Sequence, residues 1–423
     1  MDVPADADRG ATKKRTDGWK SVMESSKAQK RWFPRPSDDA VRKALHWLEH
    51  AEHQATIEHV EVVDVETLTY DGFFLDYMVK NVPVVVRGAT DNWKCRQEWV
   101  DANGQPNLLF LREKFGNGQA FVHRKDKRTG QDQVEQCRFD EFLHHWESDE
   151  KDPWYWKDWH FVAEFSEYGA YECPTYFQDD WLNHYFDMMR CKSTTQNERT
   201  ETSDYRFVYM GKEGTKTNLH TDVAKSYSWS ANVCGQKEWL LLPPPYAGFL
   251  QDRYGRGTAT TFDDDPTVYP NLERARDKAL QVYQEAGDII FVPSGWYHSV
   301  ENTKDTVSIN HNWFNAVNLH WIASYVDLEE AQAEKAIEDC RELSSTEEFQ
   351  QLVQQNVYAN IGINKPMLAH IVELAVHERS SCKTEREHPP ARTEDLTTWH
   401  RFLEVALHNA KGVTGSFVPS LEC

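Results

Sequence analysis

Paired cysteines are what this sequence most clearly lacks, since none of its eight cysteines stands in a Cys-x-x-Cys arrangement. Such pairs hold structural zinc through their thiolates, so we do not expect a thiolate zinc site. Cysteines scattered through a chain of 423 residues are typical of a reduced intracellular protein, which predicts a cytoplasmic location. The short basic string Lys13-Lys14-Arg15 leaves a nuclear location open.

Long apolar runs are also absent from the sequence. No stretch approaches the roughly 20 apolar residues that a membrane-spanning helix needs. The N-terminal residues have no apolar core of the kind that a secretory signal contains. We therefore expect no membrane partner.

Basic residues are few relative to acidic ones. The chain has 47 Lys and Arg against 68 Asp and Glu, a net charge of −21. Sequence-independent binding to nucleic acid needs a basic face, so we expect no nucleic acid partner. A basic protein partner or solubility alone would explain the excess of acid, and the charge does not separate these two interpretations.

Aromatic residues, by contrast, are abundant, at 13% of the chain with 16 Trp, which predicts that most of the chain folds. Composition and periodicity divide the chain into four predicted segments. They are a flexible polar arm (1–37), an N-terminal helical and mixed part that supports the core (38–200), a β-rich core (201–317) and a C-terminal helical region (318–423).

Local signals predict several individual elements outside the β-rich core. Residues 60–63 read as a strand, and residues 67–80 and 319–340 read as helices. Ser37 is the expected cap of an early helix. The string 344–347, Ser-Ser-Thr-Glu, has the form of a capping box.

The β-rich core is predicted from five short segments that are rich in β-branched and aromatic residues and bounded by Gly, Pro or Asn. They are residues 205–210, 228–233, 238–242, 288–292 and 307–313. Several short strands at close spacing favour a β sandwich or barrel over a parallel α/β sheet.

Two histidines and one aspartate form a candidate metal site. His220 and Asp222 are two apart at a strand end, so their side chains point to the same side. His298 follows an apolar strand and a Pro-Ser-Gly-Trp turn, from which it could complete the set. Two histidines with one carboxylate are typical of non-haem iron(II) oxygenases, because they leave positions open for a chelating keto acid and dioxygen. A His-x-Asp pair alone is more often a surface hydrogen bond.

Two further patterns are typical of a lined pocket. Lys237 enters an apolar strand, where a buried ammonium group needs a counter-charge such as the far carboxylate of 2-oxoglutarate. An exposed edge lysine is the alternative interpretation. By alternation, Asn310 and Asn312 share a polar face with Thr306 and Ser308, which fits a cavity wall or a sheet with one wet face.

These strings together resemble the jumonji C (JmjC) oxygenases. The resemblance rests on HTDVAKSYSWSANVCGQKEWLLLPPP and GDIIFVPSGWYHSVENTKDTVSINHNWFN, with Lys237 seventeen residues after His220. PVVVRGATDNW is similar to the N-terminal strand and turn of the family. PWYWKDWHF, YFQDDWLNHYFD and DYRFVYMG resemble the branch named after jumonji-domain-containing protein 4. The resemblance covers roughly residues 60–320.

The resemblance implies a mainly β core with flanking helices: a double-stranded β-helix, the jelly-roll or cupin-like fold, followed by a C-terminal helical region. It implies three cofactors and cosubstrates: iron(II), 2-oxoglutarate and dioxygen. His220, Asp222 and His298 become the implied iron ligands, and Lys237 and Thr217 the implied partners of the 2-oxoglutarate carboxylate. Further cofactor contacts implied by position are Tyr155, Asn310, Asn312 and Ser230, the last standing where some related hydroxylases carry Asn.

The resemblance also implies an activity, protein lysyl hydroxylation. The second ligand is Asp, as in the hydroxylase branches, whereas many histone demethylases of the family carry Glu. The implied protein substrate is a lysine of the translation termination (release) factor. Demethylation of lysine or arginine, in histones or other proteins, and a non-catalytic binding module are the alternatives. The C-terminal helices serve either self-association as a homodimer or substrate docking, or simply cap the sandwich.

Overall fold

The structure, a computed structural model of the chain, describes residues 33–50, 57–125, 132–148, 153–192, 204–381 and 393–414. The chain divides into two compact units. One, the β unit, comprises the described residues within 47–177 and 205–313; the other, the helical unit, comprises the described residues within 1–46, 178–204 and 314–423. The predicted arm lies almost entirely outside the described residues.

The β unit contains the strands of the described chain. In chain order they are β1 (Glu61–Asp64), β2 (Val84–Arg87), β3 (Gln119–Lys125), β4 (Asp132–Arg138), β5 (Tyr155–Trp159), β6 (Arg206–Gly211), β7 (Lys216–His220), β8 (Tyr227–Cys234), β9 (Gln236–Leu242), β10 (Leu280–Glu285), β11 (Ile289–Val292), β12 (Tyr297–Asn302) and β13 (Thr306–Trp313). The five predicted core strands are all present as β6, β8, β9, β11 and β13.

The strands form two sheets. The larger has nine strands in the order β1-β2-β11-β8-β13-β6-β5-β3-β4, and the smaller has four in the order β10-β9-β12-β7. Pairing is antiparallel throughout, except that β1 runs parallel to β2. Strands close in sequence therefore alternate between the two sheets, as in a jelly roll. The predicted double-stranded β-helix with flanking helices is confirmed.

An aromatic core supports the larger sheet. The short strand β11 is fully buried, because it lies between β2 and β8. The ring of Phe291 on this strand has its centroid 5.1 Å from that of Phe73, 5.0 Å from Tyr227 and 6.4 Å from Trp313. Edge-to-face aromatic pairs add about 0.5–1.5 kcal/mol each beyond the burial of their surface. This packing holds the sheet that forms one wall of the site.

The helices, in chain order, are α1 (Asp38–His50), α2 (Tyr70–Phe73), α3 (Lys94–Glu98), α4 (Leu108–Phe115), α5 (Phe139–Glu147), α6 (Phe161–Glu164), α7 (Trp181–Lys192), α8 (Leu272–Lys278), α9 (Leu319–Ala336), α10 (Thr346–Ile361), α11 (Lys365–Ser381) and α12 (Thr393–Thr414). Ser37 caps α1 as predicted, with its Oγ accepting from Ala40 N at 3.3 Å. None of the described helices has the length and low charge needed to cross a membrane.

Three helix boundaries differ from the prediction. The helix predicted at 67–80 begins at Tyr70, capped by Thr69, and continues as the π-helical turn Phe74–Met78. The helix predicted at 319–340 ends at Ala336. The capping box is shifted by one residue, because Ser345 accepts from Glu348 N and the Glu348 side chain accepts from Ser345 N in return. Several polar residues in a row offer more than one cap, and only packing selects one.

The two compact units follow contacts and not composition, so the predicted segment boundaries at 37, 200 and 317 stay predictions. Residues 178–204 group with the C-terminal helices, whereas residues 47–177 group with the strands. In the helical unit α7 packs against α11, where His184 Nε2 lies 2.7 Å from Glu378 Oε2. A segment joins the unit in which its apolar face is buried, whatever its position in the sequence.

Candidate active site

Neighbouring strands of the smaller sheet bring two histidines together. His298 on β12 is the register partner of His220 at the end of β7. Their ring centroids are 4.3 Å apart. His298 is buried and His220 is half-buried. His298 therefore lies on the strand next to that of His220, as the sequence predicted.

A bulge in β7 decides which side chains join His220. His298 pairs with His220 and Val300 pairs with Thr217, so two residues of β7 oppose one residue of β12. Thr217 and His220 are three apart, a spacing that regular alternation would send to opposite faces. With the bulge, both side chains line the same cavity.

Asp222 completes a compact group of three. It follows β7 and precedes a 3-10 turn at Val223–Lys225. Its Oδ2 lies 4.0 Å from His298 Nε2, and one ligand atom from each of His220, Asp222 and His298 lies within 4.8 Å of the others. The residues predicted from the sequence as a metal set therefore converge.

Hydrogen bonds to backbone carbonyl oxygens determine which nitrogen of each histidine ring can bind a cation. His220 Nδ1 lies 2.8 Å from the Asn218 carbonyl oxygen, and His298 Nδ1 lies 3.1 Å from that of Trp296. A ring nitrogen beside a carbonyl oxygen must carry the proton, which leaves each Nε2 lone pair available to a metal. Burial, with a smaller effect from the charge of His298, lowers the pKa of His220 to about 4, so the ring is neutral at physiological pH.

The carboxylate of Asp222 is held by two donors. Ser228 Oγ donates to Oδ2 at 2.7 Å, and Asn312 Nδ2 donates to Oδ1 at 2.9 Å. Such bonds fix the orientation of a metal-binding carboxylate. Two imidazoles and one oriented carboxylate fit a divalent metal such as iron(II), with positions left open for other ligands.

The three residues lie in a cavity of about 840 Å³. Its size is within the range of small-molecule sites. The cavity wall contains every site residue that the sequence predicted: Tyr155, Thr217, His220, Asp222, Ser230, Lys237, His298, Asn310 and Asn312. All of them belong to the β unit.

Lys237 supplies a buried positive charge to this cavity. Its side chain is 2% exposed, and no carboxylate of the described residues lies within 4.0 Å of its ammonium group. Burial, helped by repulsion from Lys157, lowers the pKa of Lys237 to about 7. A buried ammonium without a partner is unfavourable, so this lysine fits a site for an anion that arrives with a ligand.

Other predicted contacts line the same cavity as Lys237. Tyr155 is buried, and burial raises its pKa to about 12 against the opposing effect of the Thr217 and Asn302 side chains. The Ser230 hydroxyl is buried and has no hydrogen-bond partner among the described residues. An unpartnered hydroxyl in a cavity wall fits a polar ligand.

The two asparagines of β13, both predicted as cofactor contacts, bond to different partners in the cavity wall. Asn312 donates to Asp222 and thereby orients a candidate metal ligand, and its contact with a cofactor stays a prediction. Asn310 donates to Ser308 Oγ at 3.2 Å. Both line the cavity, as the polar face of this strand predicted.

The lining residues that were not predicted include Lys157, Asp158 and Tyr209. Lys157 Nζ donates to Thr217 Oγ1 at 3.3 Å, and its pKa is lowered by burial. The sequence contains a signal for two of these residues, because the charged residues Lys157 and Asp158 are adjacent within the aromatic string Trp-Tyr-Trp-Lys-Asp-Trp. The reasoning that selected Lys237, a charge within an apolar strand, applies equally to this string.

Comparisons with known proteins agree with the site. The family model described as "Cupin-like domain" matches residues 71–319. The chain is 41% identical to the arginine-specific demethylase JMJ20 of Arabidopsis thaliana, over 73% of this chain and 68% of that protein. It is 36% identical to the 2-oxoglutarate and iron-dependent oxygenase JMJD4 of Danio rerio, over 78% of each chain, and 31% identical to that of Homo sapiens, over 74% of each. The chain therefore belongs to the cupin-like JmjC family of 2-oxoglutarate and iron-dependent oxygenases.

Proposed function

We propose that this chain is an iron(II)- and 2-oxoglutarate-dependent protein hydroxylase, with His220, Asp222 and His298 holding the iron. The observation that carries the proposal is the convergence of these three ligand atoms within 4.8 Å, in the cavity that also contains the buried Lys237. A site of this family needs a metal and an anion-binding group in one enclosed space.

The register of the smaller sheet supports the placement of the cosubstrate. On β9 and β12, Leu241 is opposite His298 and Lys237 is opposite Asn302. Lys237 is thus four residues, about 13 Å of strand, from the level of the metal ligands. This separation leaves room for the carbon chain of a dicarboxylate, whose far carboxylate Lys237, Thr217 and Tyr155 would bind.

Iron, 2-oxoglutarate and dioxygen would supply the oxidation itself, in which 2-oxoglutarate is cleaved to succinate and CO2 and one oxygen atom enters a C–H bond of the substrate. The chain supplies binding and orientation. Ser228 and Asn312 orient the Asp222 carboxylate. The buried Trp239, whose ring centroid is 5.7 Å from that of His298, lines the cavity beside this proposed iron ligand.

The substrate that we propose is a lysine side chain of the translation termination factor. Its support is the motif resemblance to the lysyl hydroxylase branch and the Asp at position 222. The net charge of −21 would attract a basic protein segment. Self-association through the C-terminal helices and a cytoplasmic location stay predictions.

Arginine demethylation is a second candidate, favoured by the 41% identity to a relative named an arginine-specific demethylase. Both reactions begin with the same oxidation of a C–H bond. They differ in the product, because demethylation releases formaldehyde and hydroxylation leaves the added oxygen on the substrate.

The test is succinate formation from 2-oxoglutarate with added iron(II), with and without a lysine-bearing peptide of the release factor, followed by mass analysis of the peptide. We expect stimulated turnover and a gain of one oxygen atom on the lysine, neither of which His298→Ala should show. Formaldehyde release from a methylarginine peptide would favour the second candidate. Turnover with an unmodified peptide would remove the proposed substrate, and no turnover in iron-loaded protein would favour a non-catalytic binding module.

A further inference from the structure

A second bulge, in β5, turns two neighbouring charges into the cavity. Tyr155 pairs with Gly211 and Trp156 with Met210, but the next partner of β6, Val208, pairs with Trp159. Lys157 and Asp158 therefore both lie opposite the single residue Tyr209. Without the bulge, two consecutive side chains would face opposite sides of the sheet. With it, Lys157 and Asp158 both line the cavity.

The backbone at this bulge is strained. Asp158 has a φ of +54°, in the left-handed region that L residues seldom adopt. The flanking residues are held by packing on the other face, where the rings of Trp156 and Trp159 lie 4.9 and 4.7 Å from Phe139. Strain of this kind persists where the surrounding structure enforces it and is concentrated at functional sites.

The Asp158 carboxylate is positioned by one hydrogen bond and can accept more. Tyr209 donates its hydroxyl to Oδ1 at 2.8 Å. His123 Nε2 lies 4.0 Å from Oδ2, beyond hydrogen-bond distance. The side chain of Asp158 is 43% exposed, so a group entering the cavity can reach it. One oxygen is thus oriented by the protein while the other remains accessible.

The other charges of the cavity leave this carboxylate a distinct role. Among the described residues that line the cavity, the carboxylates are Asp158 and Asp222. Asp222 is the proposed iron ligand. Lys157 points to Thr217, with its Nζ 5.4 and 5.6 Å from the ring centroids of Tyr155 and Tyr209. The lysines Lys157 and Lys237 would repel a cationic side chain. A cationic substrate therefore needs a carboxylate close to the position that its side chain takes beside the metal.

We propose that Asp158 determines specificity for a cationic side chain: its carboxylate binds the ammonium or guanidinium group of the protein substrate, and Tyr209 positions it. This inference rests on the proposed function in one respect, that a substrate side chain enters this cavity. It adds the residue and the charge that select the side chain.

The test measures binding alone. Full-length protein loaded with Mn(II) and N-oxalylglycine, an unreactive analogue of 2-oxoglutarate, is mixed with peptide pools that are random except for a fixed central lysine, arginine, citrulline or norleucine. Bound peptides are quantified by mass spectrometry. We expect the wild-type protein to prefer the cationic pools over the neutral ones by about tenfold or more, since a charge-assisted hydrogen bond is roughly twice as strong as a neutral one.

The main variant is Asp158→Asn, because asparagine tolerates a positive φ better than other non-glycine residues and keeps the shape of the side chain. Asp158→Gly removes the side chain and relieves the strain, so it tests the proposal even where Asn disturbs the loop. Both should reduce the cationic preference to about threefold or less. Tyr209→Phe should reduce it partially. Asp277→Asn, which removes one exposed carboxylate from α8, should leave it unchanged.

Each outcome decides the inference. A wild-type protein without cationic preference, or an Asp158→Asn and Asp158→Gly pair that keeps it, would overturn the role of Asp158. Failure of the proposed function is a separate result, scored with iron(II) and 2-oxoglutarate. Cationic preference without oxidation of any bound peptide would leave Asp158 as a specificity residue and remove the hydroxylase proposal. Oxidation without cationic preference would keep the hydroxylase proposal and remove Asp158 as a specificity residue.

Discussion

His220 and His298 are register partners on adjacent antiparallel strands, and each imidazole is anchored in the same way. In both residues Nδ1 faces the backbone carbonyl oxygen of the residue two positions earlier, at 2.8 Å for His220 and 3.1 Å for His298. This repeated local bond sets the tautomer of both rings before any metal binds. The lone pairs that a metal needs are thus oriented by the backbone of the sheet.

Replacing one of these rings should abolish activity and leave the fold intact. His298→Ala should lower 2-oxoglutarate turnover by about 10³-fold or more, because the metal loses one of three protein ligands. The loss of unfolding free energy should stay at about 2 kcal/mol, since the ring faces a cavity. Succinate formation and circular dichroism measure the two effects. His408→Ala, an exposed residue of α12, is the control. Loss of secondary structure in His298→Ala would contradict this prediction.

The orientation of Asp222 by Asn312 can be tested through metal affinity. Asn312→Ala removes the donor to Asp222 Oδ1 and should weaken Mn(II) binding by about 10–100-fold, the usual effect of losing a partner of a metal ligand. Isothermal titration in the absence of cosubstrate measures this affinity. Asn310→Ala is a matched control on the same face of β13, because Asn310 donates to Ser308 and not to Asp222. Equal effects of the two substitutions would argue against an orienting role.

The burial of Lys237 predicts that this residue lowers the stability of the ligand-free protein and strengthens the binding of the cosubstrate. Lys237→Met should raise the apparent 2-oxoglutarate requirement by about 10²-fold or more, because the incoming carboxylate loses its buried partner. The same substitution should raise the unfolding free energy of the ligand-free protein by about 1 kcal/mol, since a buried ammonium is removed. Steady-state kinetics and thermal denaturation measure the two effects. A lower melting temperature with an unchanged 2-oxoglutarate requirement would make Lys237 a structural residue.

The pKa of Lys237 predicts how cosubstrate affinity depends on pH. Burial and the charge of Lys157 lower this pKa to about 7, so the ligand-free lysine releases its proton as pH rises above that value. A carboxylate binds the protonated form, so affinity should be constant well below pH 7 and fall by about tenfold per pH unit above it. Isothermal titration of N-oxalylglycine into Mn(II)-loaded protein, in buffers of different ionisation enthalpy, should also show proton uptake above pH 7.

Lys237→Arg is the control for this pH dependence, because a guanidinium group keeps its proton throughout the range. Affinity in this variant should not fall above pH 7. A wild-type affinity that rises with pH would contradict the assignment. The same lowered pKa predicts that the stability of the ligand-free protein increases from about pH 7 toward 10.5, because the unfolded chain binds a proton that the folded chain has released.

Gly211 tests how closely Tyr155 is held in the cavity wall. A Cβ at this position would lie 2.7 Å from Tyr155 Cδ2 and would also overlap with Thr215 Oγ1, so Gly211→Ala must displace its neighbours. We expect a loss of about 1–3 kcal/mol in unfolding free energy and a higher 2-oxoglutarate requirement. Gly248→Ala, where a Cβ would meet nothing within 4 Å, is the control. Unchanged kinetics in Gly211→Ala would mean that Tyr155 does not contact the cosubstrate.

The sequence alone determined the chemistry of this protein. The types and order of His220, Asp222, Lys237 and His298 predicted sites for a metal and an anion, and the β-branched strands between them predicted a sandwich or barrel. The family resemblance implied the jelly roll, which the two sheets confirm. Ligand type and strand periodicity can be read from the sequence because they are local properties. The family strings around these residues supplied the remaining predicted contacts, all of which line one cavity.

Only the tertiary structure decided which side chains face that cavity where alternation fails. The bulge in β7 turns Thr217 to the side of His220, and the bulge in β5 turns Asp158 to the side of Lys157. A bulge depends on the register of the partner strand, which residues distant in the sequence set. The contact of Asn312 with Asp222, 90 positions apart, has the same origin. The sequence therefore determined which groups are available, and strand pairing decided which of them meet.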